Sequence, residues 1–194
     1  MVREFEHEQT RRLAIVIDSS RDGAPSAGSF SPLDRACSAA ASIASAALSQ
    51  GHGARLVTGA GGSVDILTRA DERELCERLA LAQPTAETLP YPTLIGGAIE
   101  LLRGVETVVL VFPTWSGNAA ERLAPAVEAL VERIPTTVAV PVVLDRRAHR
   151  DTLSEERIDG LSQRLRAAGA SVHLWRDGSS LDDTLGVDRI VSGR

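Results

Sequence analysis

The run Leu13-Ala14-Ile15-Val16-Ile17 stops abruptly at Asp18-Ser19-Ser20, and this change constrains the chain more than any other stretch. A short, β-branched apolar run predicts a strand over 13–18 that is covered on both faces, the habit of parallel sheets in α/β domains. Asp18 then falls at the carboxyl end of a central strand, where open α/β sheets place their ligand crevices. The spacing Asp18-x-Ser20-x-Asp22 adds oxygen-bearing side chains of the kind a hard divalent cation uses. The same residues also suit a simpler task, turning the chain and capping the next helix.

Downstream, strand and helix patterns alternate. Residues 21–32 read as loop, and Asp34 to Gln50 as a helix rich in Ala and Ser that Gly51 stops. Arg55–Thr58 predicts a second strand, and Gly61-Gly62 a tight hairpin into Ser63–Leu67 as an antiparallel edge. Helices are expected over Ala70–Leu81 and Thr93–Arg103, with loop at Pro84–Pro92 between them. Strand Thr107–Phe112 follows, then a helix from Gly117 or Asn118 to Arg133 that tolerates Pro125. Strand Thr137–Leu144, helix Ser154–Ala168 capped by Gly169, strand Ser171–Trp175 and a short helix Ser180–Leu185 complete the pattern. Successive β-α units favour right-handed crossovers, so the expected fold is α/β, a three-layer, doubly wound, mostly parallel, Rossmann-like sheet with one antiparallel edge strand. Residues 1–12 carry alternating charge around a single aromatic, Phe5, and read as an extended arm; 13–194 read as one domain.

Charge and composition narrow the function. The 21 basic residues are all arginines, and the net charge is −5, so the chain offers no phosphate-neutralising field and nucleic acid is not expected as a partner. Cys37 and Cys76 lie in predicted helices without metal-ligand spacing, which suggests buried, reduced thiols and a cytoplasmic setting. No apolar run approaches the roughly 20 residues of a membrane span, so no membrane contact is expected from this segment.

Several motifs lack a necessary part. Gly59-Ala60-Gly61-Gly62 has Val64 where a dinucleotide loop needs its third glycine, and a strand rather than a helix follows. Thr114-Trp115-Ser116-Gly117 sits at a strand-to-helix turn, but Thr114 replaces the first glycine of a nucleophile elbow. The histidines His7, His52, His149 and His173 have no zincin spacing. His149 lies in the Arg146–Arg150 cluster, which reads as a solvated turn.

The segment Val2-Arg3-Glu4-Phe5-Glu6, running through Arg11-Arg12 into the first strand, resembles the bacterial domain-of-unknown-function 58 family. The resemblance continues through the small-residue helix, the Gln50-Gly51-His52 turn into Arg55-Leu56-Val57, and Pro92-Thr93 opening a later helix. It covers Met1 to about Trp175 and implies a von Willebrand factor A-like domain. In that fold the first loop supplies Asp, Ser and Ser to a divalent cation, a second loop a Thr and a third an Asp. Carried over, these are Asp18, Ser20, Asp22 in place of the last Ser, and Thr93. The final acid is missing, because the strand ends in Pro113-Thr114-Trp115. The resemblance therefore implies a degenerate metal site, with Mg²⁺ bound weakly or not at all. It also implies longer, membrane-anchored relatives whose domain of this type is cytosolic.

Two functional classes follow. One is a non-catalytic interaction module whose partner, by family resemblance, is a MoxR-type AAA+ ATPase, with Tyr91 and Trp115 as loop aromatics anchoring the contact. The other is a hydrolase using Ser116 or a metal-bound water, for which the sequence supplies no convincing base.

Overall fold

The computed structural model describes residues 12–19, 32–58, 62–81, 91–114, 119–143, 153–176 and 179–180. In chain order the first half contains β1 (Arg12–Ile17), α1 (Pro32–Ser49), β2 (Gly53–Val57), β3 (Ser63–Ile66), α2 (Glu72–Ala80) and α3 (Tyr91–Ala98). The second half contains β4 (Thr107–Pro113), α4 (Ala119–Val131), β5 (Thr136–Val143), α5 (Glu155–Ala167), β6 (Ser171–Val172) and β7 (Trp175–Arg176). The sheet runs β3-β2-β1-β4-β5-β6, with β7 also on β5. Every pair is parallel except β2–β3. This is the expected doubly wound α/β sheet with one antiparallel edge strand.

Strand alternation sorts the core into two layers. Leu13, Ile15 and Ile17 join the buried faces of α1 and α2, whereas Ala14 and Val16 join those of α3, α4 and α5. A strand covered on both sides needs apolar residues at every position, which is why β1 and β4 read as unbroken runs. In α1, Ala36, Ala39, Ala40, Ala44 and Ala47 are fully buried. Their small side chains let the helix lie close to the sheet.

Helix ends follow local chemistry. Both α1 and α5 close with a Schellman motif. At α1 the His52 N–H reaches the Ala47 carbonyl (3.0 Å) and Gly51 N–H that of Leu48 (3.1 Å); at α5 the Ala170 N–H reaches Leu165 (3.0 Å) and Gly169 N–H reaches Arg166 (2.9 Å). The glycines at the turns have φ of +78° and +94°. Before α2, Asp71 Oδ2 accepts from the backbone N–H groups of Leu67 and Thr68 and from the Thr68 hydroxyl, which holds its carboxyl below the usual range. The expected start of the helix is instead a 3₁₀ turn, Arg69–Asp71, and α2 proper begins at Glu72.

Three expectations change. The helix expected over Thr93–Arg103 begins at Tyr91 and passes at Ile99 into a 3₁₀ turn, Ile99–Leu102. Cys76 is exposed, while Cys37 is buried with its thiol pushed up to about 11 by burial and by Asp34. The single strand expected at Ser171–Trp175 is divided, and Pro141 explains the break. Val142 gives its carbonyl to Thr114 on the β4 side, and Ala139 gives its own to His173 on the outer side. Odd-numbered residues of β5 therefore point their backbone outward, where Pro141 has no N–H to offer the carbonyl of residue 173. The expected arm at residues 1–12 lies outside the described residues except for Arg12, which starts β1. The closing helix over 180–185 lies outside them after Ser180.

The hairpin edge is tied down by Arg55. Its guanidinium forms a bidentate pair with Asp65 directly opposite, with the Nη2 contact at 2.9 Å, and also donates to the Leu101 carbonyl at the end of the 3₁₀ turn. The Arg55 hydrogen bonds hold the Asp65 carboxyl below its ordinary range, against an opposing burial effect. A depressed folded pKa means stabilisation that is complete above the unfolded value and lost as pH falls through the folded one. Asp65 is half-exposed, so Asp65→Asn is expected to cost only about 0.5–1 kcal/mol at neutral pH. Urea unfolding should show that difference vanish once the wild-type carboxylate is protonated. Thr137 behaves oppositely: its Oγ1 is buried without a hydrogen-bond partner. Thr137→Val should raise stability by about 1 kcal/mol in the same measurement, because it removes an unsatisfied buried hydroxyl.

Candidate functional site

The helix after β1 covers one face of the sheet and the helix after β4 covers the other. Neighbouring strands whose connections leave in opposite directions open a crevice at their carboxyl ends, so the switch point lies between β1 and β4. Asp18, Ser19 and Thr114 lie at this edge, and all three are buried, with exposures of 7%, 6% and 1%. Buried polar groups at the end of an otherwise apolar sheet mark the place where its chemistry is concentrated.

The β1–β4 ladder stops here for a covalent reason. Asp18 N–H donates to the Val111 carbonyl at 2.9 Å. In a parallel ladder the next bond would run from residue 113 to the Asp18 carbonyl, but Pro113 has no N–H. On the other side, pairing continues. Thr114 donates to the Val142 carbonyl through both its N–H (3.0 Å) and its Oγ1 (3.1 Å), and its own carbonyl accepts from Leu153 (3.3 Å). The Thr114 side chain is thus turned into the β5 backbone.

Tyr91 is the correction at this site. Expected on a loop as a partner anchor, it is the first residue of α3 and only 4% exposed. Its hydroxyl donates to the Val16 carbonyl at 2.8 Å, and its ring packs on Phe112 with centroids 5.7 Å apart and planes tilted by 42°. Burial, and then the negative charge of Asp18, push its phenol well above the usual range; a backbone contact from Val111 opposes them more weakly. The group therefore stays a neutral hydrogen-bond donor at the end of β1, with its ring buried against Phe112.

The other candidates divide. Asp18 stands at the strand end as expected and is close enough to Tyr91 for its charge to be felt. Thr93 is on α3, exposed and two residues past Tyr91. Ser20, Asp22, Trp115, Ser116 and His149 lie outside the described residues. Among the described residues, no three His, Cys, Asp or Glu side chains form a metal-holding group. Pro113 and Ser19 were not singled out from sequence. A proline closing a central strand was a readable signal for the first; Ser19 carried none.

Topology, register and switch point together are those of a von Willebrand factor A-like, Rossmann-like α/β fold. The crystal structure of the conserved hypothetical protein BatB from Bacteroides thetaiotaomicron is similar, with a TM-score of 0.61 and 16% sequence identity over 94% of this chain and 98% of that one. At that identity the likeness is one of fold. No family model matches the chain, and no curated protein does. Among the described residues, no helix is long and apolar enough to cross a membrane.

Proposed function

We propose that this chain is a non-catalytic protein-interaction domain that engages a protein partner at the β1–β4 crevice, with a metal site of the von Willebrand factor A type that has degenerated. The observation that carries the reading is Thr114. It stands where the fold's third loop would bring its acid, and its hydroxyl donates to Val142. A threonine turned into the β5 backbone supplies none of the negative charge that helps Mg²⁺ give up water. Among the described residues this edge offers Asp18 as its one carboxylate beside Ser19 and Thr114, and the proposed function runs through no metal. Asp18 is on this reading a conformational residue at the strand end, and the partner surface is formed by the loops around it, with Trp115 as its aromatic anchor.

The resemblance to the domain-of-unknown-function 58 family supports a MoxR-type AAA+ ATPase as the partner. The test is affinity capture of that ATPase by the chain, with and without ATP, in the presence and absence of a chelator. Capture that survives chelation and weakens in Trp115→Ala supports the reading; capture abolished by chelation overturns it. Calorimetric titration of Mg²⁺ and Mn²⁺ gives an independent check. Wild type and Asp18→Ala should behave alike, and micromolar affinity lost in the variant would restore a working cation site.

A further inference from the structure

The amino end of a short helix stands beside the crevice, where Tyr91 bonds the Val16 carbonyl near the end of β1. Helix α3 has only eight residues before it tightens into the 3₁₀ turn, with no acidic residue in its first turn and no basic residue in its last. Gly96 and Gly97 are its sixth and seventh residues, both exposed, and a Cβ added at either would meet nothing within 4 Å. Neither has a positive φ. No turn, close approach or unusual backbone requires glycine there, and each glycine makes the helix easier to unwind. By contrast α5 has 13 residues, Glu155 and Glu156 in its first turn and Arg164 and Arg166 in its last.

What holds α3 is tertiary, and its two ends are held unequally. At the amino end a neutral phenol donates to one carbonyl, Tyr91 to Val16. At the carboxyl end the charged Arg55, itself paired to Asp65, donates to Leu101. Hydrogen bonds from an ionised donor are the stronger kind. Between the ends, Leu94, Ile95 and Ala98 bury their side chains in the layer shared with Val16, Val57 and Phe112.

We propose that α3 is a gate on the crevice: residues 91–95 unwind up to the Gly96-Gly97 pair and lift Tyr91 from Val16 and Phe112, while Arg55 keeps the 3₁₀ turn in place. The sheet stays folded. Opening uncovers the apolar face of β1 and β4 directly beside Asp18. This is a property of the chain alone and does not depend on which partner the crevice takes.

Cysteine labelling under native conditions tests it. In Ile95→Cys, a thiol on the buried face of α3 ahead of the glycines is modified only when the helix opens; Ala139→Cys, in β5, reports opening of the sheet. Peptide-resolved mass spectrometry separates both introduced thiols from Cys37 and Cys76. The thiol in α3 should label faster than the one in β5, with a shallower urea dependence, since local opening exposes little surface. Adding Gly96→Ala and Gly97→Ala to the Ile95→Cys variant should slow labelling of its α3 thiol about 20-fold. Equal rates and equal urea dependence at the two positions would overturn the gate, as would an α3 labelling rate unmoved by the alanines. Amide exchange of residues 95–98 against β4 in the unaltered chain supplies the same comparison if Ile95→Cys disturbs folding.

Discussion

Tyr91→Ala is expected to destabilise the fold by about 3–5 kcal/mol, the range for deleting a large, fully packed aromatic side chain. Tyr91→Phe should cost only about 1 kcal/mol, since it keeps the ring on Phe112 and loses one neutral hydrogen bond to Val16. The contrast separates packing from polarity at the crevice. For a chain of this length each kcal/mol lowers the melting temperature by roughly 2–4 °C, so thermal and urea unfolding both resolve the two variants. A small, equal loss in both would return Tyr91 to the surface role that its place in the sequence suggested.

The second large effect is at Gly169. A Cβ built there falls 2.9 Å from Val131 Cγ1, and its φ is +94°. Gly169→Ala thus adds a steric conflict with α4 to the cost of a left-handed backbone, about 2–4 kcal/mol in sum. Gly51 closes α1 with the same motif and φ +78°, but a Cβ there meets nothing within 4 Å. Gly51→Ala should therefore cost only the backbone term, about 1 kcal/mol. Equal losses at the two sites in urea unfolding would mean that Val131 yields and that conformation alone sets the penalty.

These two glycines show what is legible in the chain. Both read as helix stops from sequence, because a glycine after a helical stretch is a local signal with a local cause. The same holds for β1 and β4, whose unbroken apolar runs meet covered faces on both sides, and for Gly61-Gly62 ahead of the antiparallel β3. Asp18 at the end of β1 is legible because strand ends and their polar residues lie side by side in the chain. Tyr91 reads wrongly for the opposite reason. Nothing near Pro90 or Pro92 says that the ring reaches back to Val16, 75 residues earlier.

Taken alone, the chain's sequence determined the order and type of its elements and the α/β class, since periodicity and turn chemistry act over a few residues. Only tertiary structure decided which faces meet. Pro141 and Pro113 were visible as residues without an N–H, but the strand each would deprive depends on the alternation of backbone groups across β4 and β5. The same alternation turns the Thr114 N–H toward the Val142 carbonyl, and its hydroxyl follows. Pairing between distant strands sets that alternation, and no short-range pattern records it.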